Sequence, residues 1–186
     1  MSVQVLRRHF SVSEYYTMAA VGLLKEDDRV ELIEGEVIEM NPIGSRRAAC
    51  VGRLTKSCER LAGDVAIVWV QNPVRVNDYS EPVPDVTLLK PRDDFYAQAN
   101  PGPEDVLLLI EVSDSTLEYD RQIKVPLYAR AGVPEVWLVN LPAEVVEIHS
   151  CPSGGKYRGA RVVGRGESLT SSSVPSLTID ADAVFG

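Results

Sequence analysis

Cysteine is scarce: Cys50, Cys58 and Cys151 are three residues in 186. That is too few for a disulfide framework, and they lack the paired spacing of a structural zinc site. Histidine is scarcer still. Neither His9 nor His149 has ligand-like neighbours or lies in a segment resembling an active-site loop, which leaves hydrolysis through a Ser/His pair poorly supported. Long apolar runs are missing as well. Val65 to Val70 and Val106 to Ile110 are the longest, far short of the ~20 residues a membrane helix needs. No apolar stretch follows Arg7 and Arg8, so no signal peptide is visible and a soluble, intracellular (cytoplasmic) protein is expected. Positive charge is in deficit: 19 Lys and Arg against 27 Asp and Glu leave a net charge of −8. Such a balance opposes non-specific binding to nucleic acid, which draws on Lys and Arg at phosphates, so any such binding must rely on local positive charge.

What is present describes an ordinary globular chain. Hydrophobic residues make up 45% and charged residues 25%, near the averages for soluble domains. The length suits one domain, residues 1–186, at ~100–200 residues per domain. Val30 to Met40 reads as a hairpin turning at Glu34-Gly35, with one wet face because its Glu residues alternate imperfectly with apolar ones. Val65 to Gln71 reads as a strand buried on both faces, and Val83 to Lys90 and Asp105 to Ser113 as two more. Pro91 to Glu104 reads as an exposed loop. Ser115-Thr-Leu-Glu118 matches a capping box that opens a helix running to Gly132, with Pro126 either kinking it or delaying its regular part. Glu135 to Asn140 is a further strand. Val145 to Ser150 and Tyr157 to Val163 form a second hairpin about Pro152-Ser-Gly-Gly155. The tail from Ser171 to Gly186 gives no clear assignment. The class is α/β or α+β: a mixed sheet with helices on it, extended by hairpins.

Gly44 to Gly63 has helical periodicity. At 100° per residue, Val51, Leu54, Cys58 and Leu61 share one side, while Arg46, Arg53, Lys56 and Arg60 share another. The basic stripe either lines a phosphate backbone or is a solvated helix face. Arg47 breaks the division and projects with the apolar set, an unusual position for a charge.

The residues that could carry chemistry lie between Pro84 and Lys124. Asp85 opens one strand, and Glu111 carries a charge at the mouth of a Val-Leu-Leu-Leu-Ile run, where burial is costly without a compensating cation, hydrogen bonds or protonation. Two carboxylates at neighbouring strand ends can share a hard divalent cation. Ser113 falls on the same strand face as Glu111, and Lys124 follows on the next helix. A Pro-Asp pair arises often by chance, so the spacing leaves open that Glu111 merely caps an element and that Lys124 is solvated. Gln71 is either an accessory residue or a strand-end hydrogen bond, and Glu31 either a ligand or a solvated hairpin charge.

Several blocks in order carry a family resemblance: Phe10-Ser-Val-Ser-Glu-Tyr15, Arg29 to Met40, Asn41-Pro-Ile-Gly44, Pro84-Asp-Val86, Ile110-Glu-Val-Ser113, Tyr119-Asp-Arg-Gln-Ile-Lys124 and Leu127 to Val139. From Phe10 to Phe185 the chain resembles the Uma-type restriction endonuclease family of the PD-(D/E)XK nuclease superfamily. The resemblance implies a restriction-endonuclease-like core and metal-dependent hydrolysis of phosphodiester bonds in nucleic acid, DNA above all. It further implies Mg²⁺ or Mn²⁺ held by Asp85, Glu111 and the backbone carbonyl of Val112, and a homodimer, which exposed apolar hairpins also suit. Asp85 is similar to the Asp of the Pro-Asp motif and Glu111 to the acid of (D/E)XK. The motif's lysine position falls on Ser113, and Lys124 matches a variant whose lysine sits on the next helix. A His is common at the position of Arg47. Arginine stays protonated and cannot be a general base or metal ligand; it suits a phosphate contact, or it marks a weakened site that leaves a nuclease-fold binding or assembly module.

Overall fold

The architecture follows from a single mixed sheet with an apolar layer on each face. In the computed structural model, which describes residues 7–25 and 27–186, the chain runs through α1 (Val12–Ala20), β1 (Val30–Ile33), β2 (Glu36–Glu39), α2 (Ser45–Ala62), β3 (Ile67–Val70), β4 (Val86–Leu89) and β5 (Val106–Ser113). It continues through α3 (Leu117–Tyr119), α4 (Val125–Ala131), β6 (Glu135–Asn140), β7 (Val145–Ser153), β8 (Lys156–Gly164), β9 (Ser168–Thr170), β10 (Thr178–Asp180) and α5 (Ala181–Phe185). The six-stranded sheet has the order β3-β4-β5-β6-β7-β8. Only β5 and β6 pair in parallel, and the crossover between them carries α3 and α4, as a parallel pair requires. The N-terminal segment read above for a leader lies, over residues 1–6, outside the described residues. Among the described residues no helix is long and apolar enough to cross a membrane.

On one face α2 packs Cys50, Val51, Leu54 and Cys58 against Val86, Leu108, Ile110 and Val112. On the other, Leu127 and Tyr128 of α4 meet Leu109, Val136 and Leu138. The alternation along β5 from Leu108 onward, even residues to α2 and odd ones to α4, is the period-two rule of a pleated strand; a register shift at Leu88/Leu89 reverses it for Val106 and Leu107. It places Glu111 and Ser113 on the α4 side, beyond Leu109.

The β1–β2 hairpin turns where expected, with Glu34 at φ 51° and Gly35 at φ 81°, a left-handed pair typical of two-residue hairpin turns. Glycine is required there twice over, because a Cβ at position 35 would stand 2.5 Å from that of His9. The wet face expected for this hairpin is not where Glu31 lies: that residue is 5% exposed and points inward.

Other expectations are corrected. The 65–71 strand is not buried on both faces but is the half-buried edge strand β3; its hydrophobicity serves α2 on one side and the Trp69–Tyr96 contact on the other. The loop after β4 is accordingly not wholly exposed, since Tyr96 is buried. The 115–118 capping box does not form. The N-cap is Thr116, one residue past the expected Ser115, and makes no side-chain cap bond; its hydroxyl donates to Asp120. The second hairpin turns later than expected, with β7 extending through Pro152 to Ser153.

Pro126 resolves the helix that follows. It lies in the first turn of α4, and the preceding residues Asp120–Lys124 form a π turn in which the Val125 N–H donates to the Asp120 carbonyl, five residues back. Proline offers no N–H and crowds the preceding turn, and the wider turn accommodates that loss. Asp120 and Lys124 are its buried residues. The helix then ends at Gly132, left-handed at φ 83°, a common C-terminal stop.

Candidate active site

Strand register brings the first acid pair together. Val86 pairs with Ile110 in the antiparallel β4–β5 ladder, so the next step outward sets Asp85 opposite Glu111. The Val112 N–H donates to Asp85 Oδ2 at 2.8 Å. Both carboxyl groups are 1% exposed.

Asp85 is held from several elements. Arg47, pointing inward from α2, donates through Nη2 to Oδ2 at 2.9 Å and to Oδ1 at 3.1 Å, and through Nε to Oδ2 at 3.3 Å. Gln71, at the end of β3 with φ 50°, donates its amide to Oδ1 at 3.2 Å. Val112 thus contributes its amide here.

Glu111 is held from the crossover. Lys124 Nζ lies 2.9 Å from Glu111 Oε1 and 3.1 Å from Glu31 Oε2, and the Tyr128 hydroxyl donates to Glu111 Oε1 at 2.6 Å. Glu31 also accepts the Val83 N–H. Asp120 closes the cluster, taking hydroxyl bonds from Ser113 and Thr116, each 2.6 Å long.

Four carboxyl groups, Glu31, Asp85, Glu111 and Asp120, therefore crowd two cations, Arg47 and Lys124. Burial, with the negative charges of Asp120, Asp85 and Glu31, outweighs Lys124 and pushes the Glu111 carboxyl up to about 8. Burial works against the Lys124 charge, but Glu111 and Glu31 overcome it and hold the ammonium protonated. The cluster opens on a cavity of about 290 Å³ lined by Glu31, Arg47, Tyr119, Asp120 and Lys124 among others.

In chemistry and charge, the donors fit a hard divalent ion. They are carboxylate oxygens, and a nearby divalent charge would favour the ionised form of Glu111. Among the described residues no group of three His, Cys, Asp or Glu side chains converges as a ready-made ligand shell. Asp85 and Glu111 face each other across the β4–β5 ladder, and Arg47 occupies Asp85.

The basic stripe of α2 divides. Arg46 donates to the Leu141 carbonyl at 2.7 Å and lies 3.5 Å from Glu144. Arg53 donates to the Val184 and Phe185 carbonyls, both at 2.9 Å. These two also bond the protein itself, while Lys56 and Arg60 are exposed.

Sequence reasoning missed Asp120, Tyr128 and Tyr119. The signal was spacing: positions 120, 124 and 128 recur every four residues, one helical row. Tyr119 lines the cavity with a buried hydroxyl that has no hydrogen-bond partner among the described residues.

A family model named Uma2 and described as "putative restriction endonuclease" matches residues 12–182. A comparison with curated proteins found no match. Among solved structures, a crystal structure described as a "putative nuclease belonging to DUF820" from Anabaena variabilis superimposes with a TM-score of 0.74 over 95% of this chain and 97% of that one, at 16% identity. At that identity the likeness establishes the fold.

Proposed function

Because the chain belongs to the Uma2 family of restriction-endonuclease-like proteins, we propose that it is a nuclease that hydrolyses phosphodiester bonds, with DNA as substrate, at the Asp85–Glu111–Lys124 cluster. The observation that carries this reading is the convergence of two fully buried acids and a buried ammonium beside one cavity. Charges are not left in such a place without compensation from partners or ligands.

In this reading Asp85, Glu111 and the Val112 carbonyl hold Mg²⁺ or Mn²⁺. The bound ion would supply charge stabilisation at the scissile phosphate and a more acidic water. Lys124, held charged by Glu111 and Glu31, stands ready to stabilise negative charge developing on the phosphate oxygens. Tyr128 and Glu31 fix that ammonium and the Glu111 carboxyl from two sides. Gln71 orients Asp85.

The test is Mg²⁺- or Mn²⁺-dependent cleavage of plasmid DNA, single-stranded DNA and RNA. Cleavage that Asp85→Asn and Glu111→Gln abolish supports the reading, and variants that cut as well as the parent sink it. One observation favours a second reading. Arg47 already neutralises Asp85, which also suits a nuclease-fold binding module that cleaves nothing.

A further inference from the structure

Asp85 has no free acceptor position. Arg47 supplies three of its hydrogen bonds, and Gln71 and Val112 supply one each, to different oxygens. With Arg47 removed, each carboxylate oxygen would keep one partner and regain one lone pair. Arg47 also stands on the outer side of the pair: its side chain is 14% exposed against 1% for Asp85. The cavity wall includes Arg47 but not Asp85. Anything that approaches Asp85 from this cavity meets the guanidinium first.

We propose that Arg47 is a gate on the cation site: its guanidinium holds Asp85 until a nucleic-acid phosphodiester draws it away, so that metal and nucleic acid bind cooperatively. This rests on the reading of Asp85 as a metal ligand. The chemistry of the exchange is matched. A guanidinium forks onto phosphate oxygens as readily as onto a carboxylate, so the substrate offers the one common anion able to compete for it. Arg47 sits on α2, whose apolar face is buried in the core, so the exchange needs a side-chain rotation and leaves the helix in place. Coupling of this kind is reciprocal: if the phosphodiester tightens the metal, the metal tightens the phosphodiester by the same factor.

The experiment is calorimetric titration of Mn²⁺ into the full chain and its Arg47→Gln and Arg47→Lys variants, with and without a single-stranded DNA oligonucleotide whose phosphorothioate linkages resist cleavage. The parent should bind Mn²⁺ weakly alone and about tenfold more tightly with the oligonucleotide. Arg47→Gln should bind Mn²⁺ about tenfold to a hundredfold more tightly than the parent, the range of a charge-assisted hydrogen bond, and should be indifferent to the oligonucleotide. Arg47→Lys, which keeps the charge but loses the fork, should fall between them. It carries the test if thermal unfolding shows Arg47→Gln to be misfolded. A parent that binds Mn²⁺ as tightly as these variants overturns the gate while leaving Asp85 a ligand. So does an oligonucleotide effect that persists in Arg47→Gln. If neither parent nor variants bind Mn²⁺, the gate and the metal reading fall together.

Discussion

Glu111 and Glu135 lie on adjacent parallel strands, both fully buried, and their surroundings differ in kind. Glu135 is saturated by uncharged donors. Its Oε1 accepts the Trp137 indole N–H at 2.7 Å, and its Oε2 accepts the Ser171 and Ser172 hydroxyls and the Ser172 and Ser173 amides. No Lys or Arg takes part. The serine donors come from the segment after β9, so the carboxylate pins the C-terminal region to the sheet. Glu111 instead shares one ammonium with a second glutamate and is crowded by other acids. A structural carboxylate is tied by fixed dipoles; a candidate ligand is left with an excess of charge that another cation could take up.

The contrast should break first in activity. Asp85→Asn and Glu111→Gln should each lower metal-dependent cleavage by roughly 10³-fold or more, since several kcal/mol of charge stabilisation go with the ion, while the unfolding midpoint moves little for the near-isosteric Glu111→Gln. Next, Lys124→Met should cost ~10²–10³ in rate and also destabilise the fold by about 3–5 kcal/mol, because Glu31 and Glu111 lose their shared buried partner; urea unfolding beside the cleavage assay separates the two effects. Glu135→Ala should do the reverse, destabilising by about 3 kcal/mol through orphaned donors with cleavage per folded molecule unchanged. A loss of cleavage there would erase the distinction between the two sites.

pH sharpens the comparison further. The folded Glu111 carboxyl, at about 8 against the ordinary 4.5, keeps a proton that the unfolded chain has shed across that interval. The native form therefore binds more protons, and in the absence of added metal stability should fall as pH rises from about 4.5 to about 8. Glu111→Gln should flatten that slope in thermal melts at constant ionic strength. A slope unchanged in that variant would assign the effect to another group.

Much of this was legible where the pattern is local. The Glu34-Gly35 turn, the apolar side of α2 and the Leu108–Ile110 run fixed their elements through backbone preference and periodicity alone. Arg47 was placed inward by the helical wheel, and its partner proved to be Asp85. Reading failed where a residue's partner is remote. Residues 171–186 could not be assigned because their short elements depend on Glu135 and on Arg53, which holds the last carbonyls of α5. The helix start slipped from Ser115 to Thr116, whose hydroxyl bonds Asp120, a contact that sequence does not display. Glu31 stayed open between a ligand and a solvated charge because nothing in the hairpin announces the ammonium brought to it by the crossover.

The π turn before Pro126 makes the reach of Lys124 depend on an irregularity. A residue added or removed between Asp120 and Lys124 without a matching change of winding would turn the amine by about 100°, away from Glu111. An insertion or deletion inside these five residues should therefore leave Glu31 and Glu111 without their shared buried partner and lower stability as Lys124→Met does.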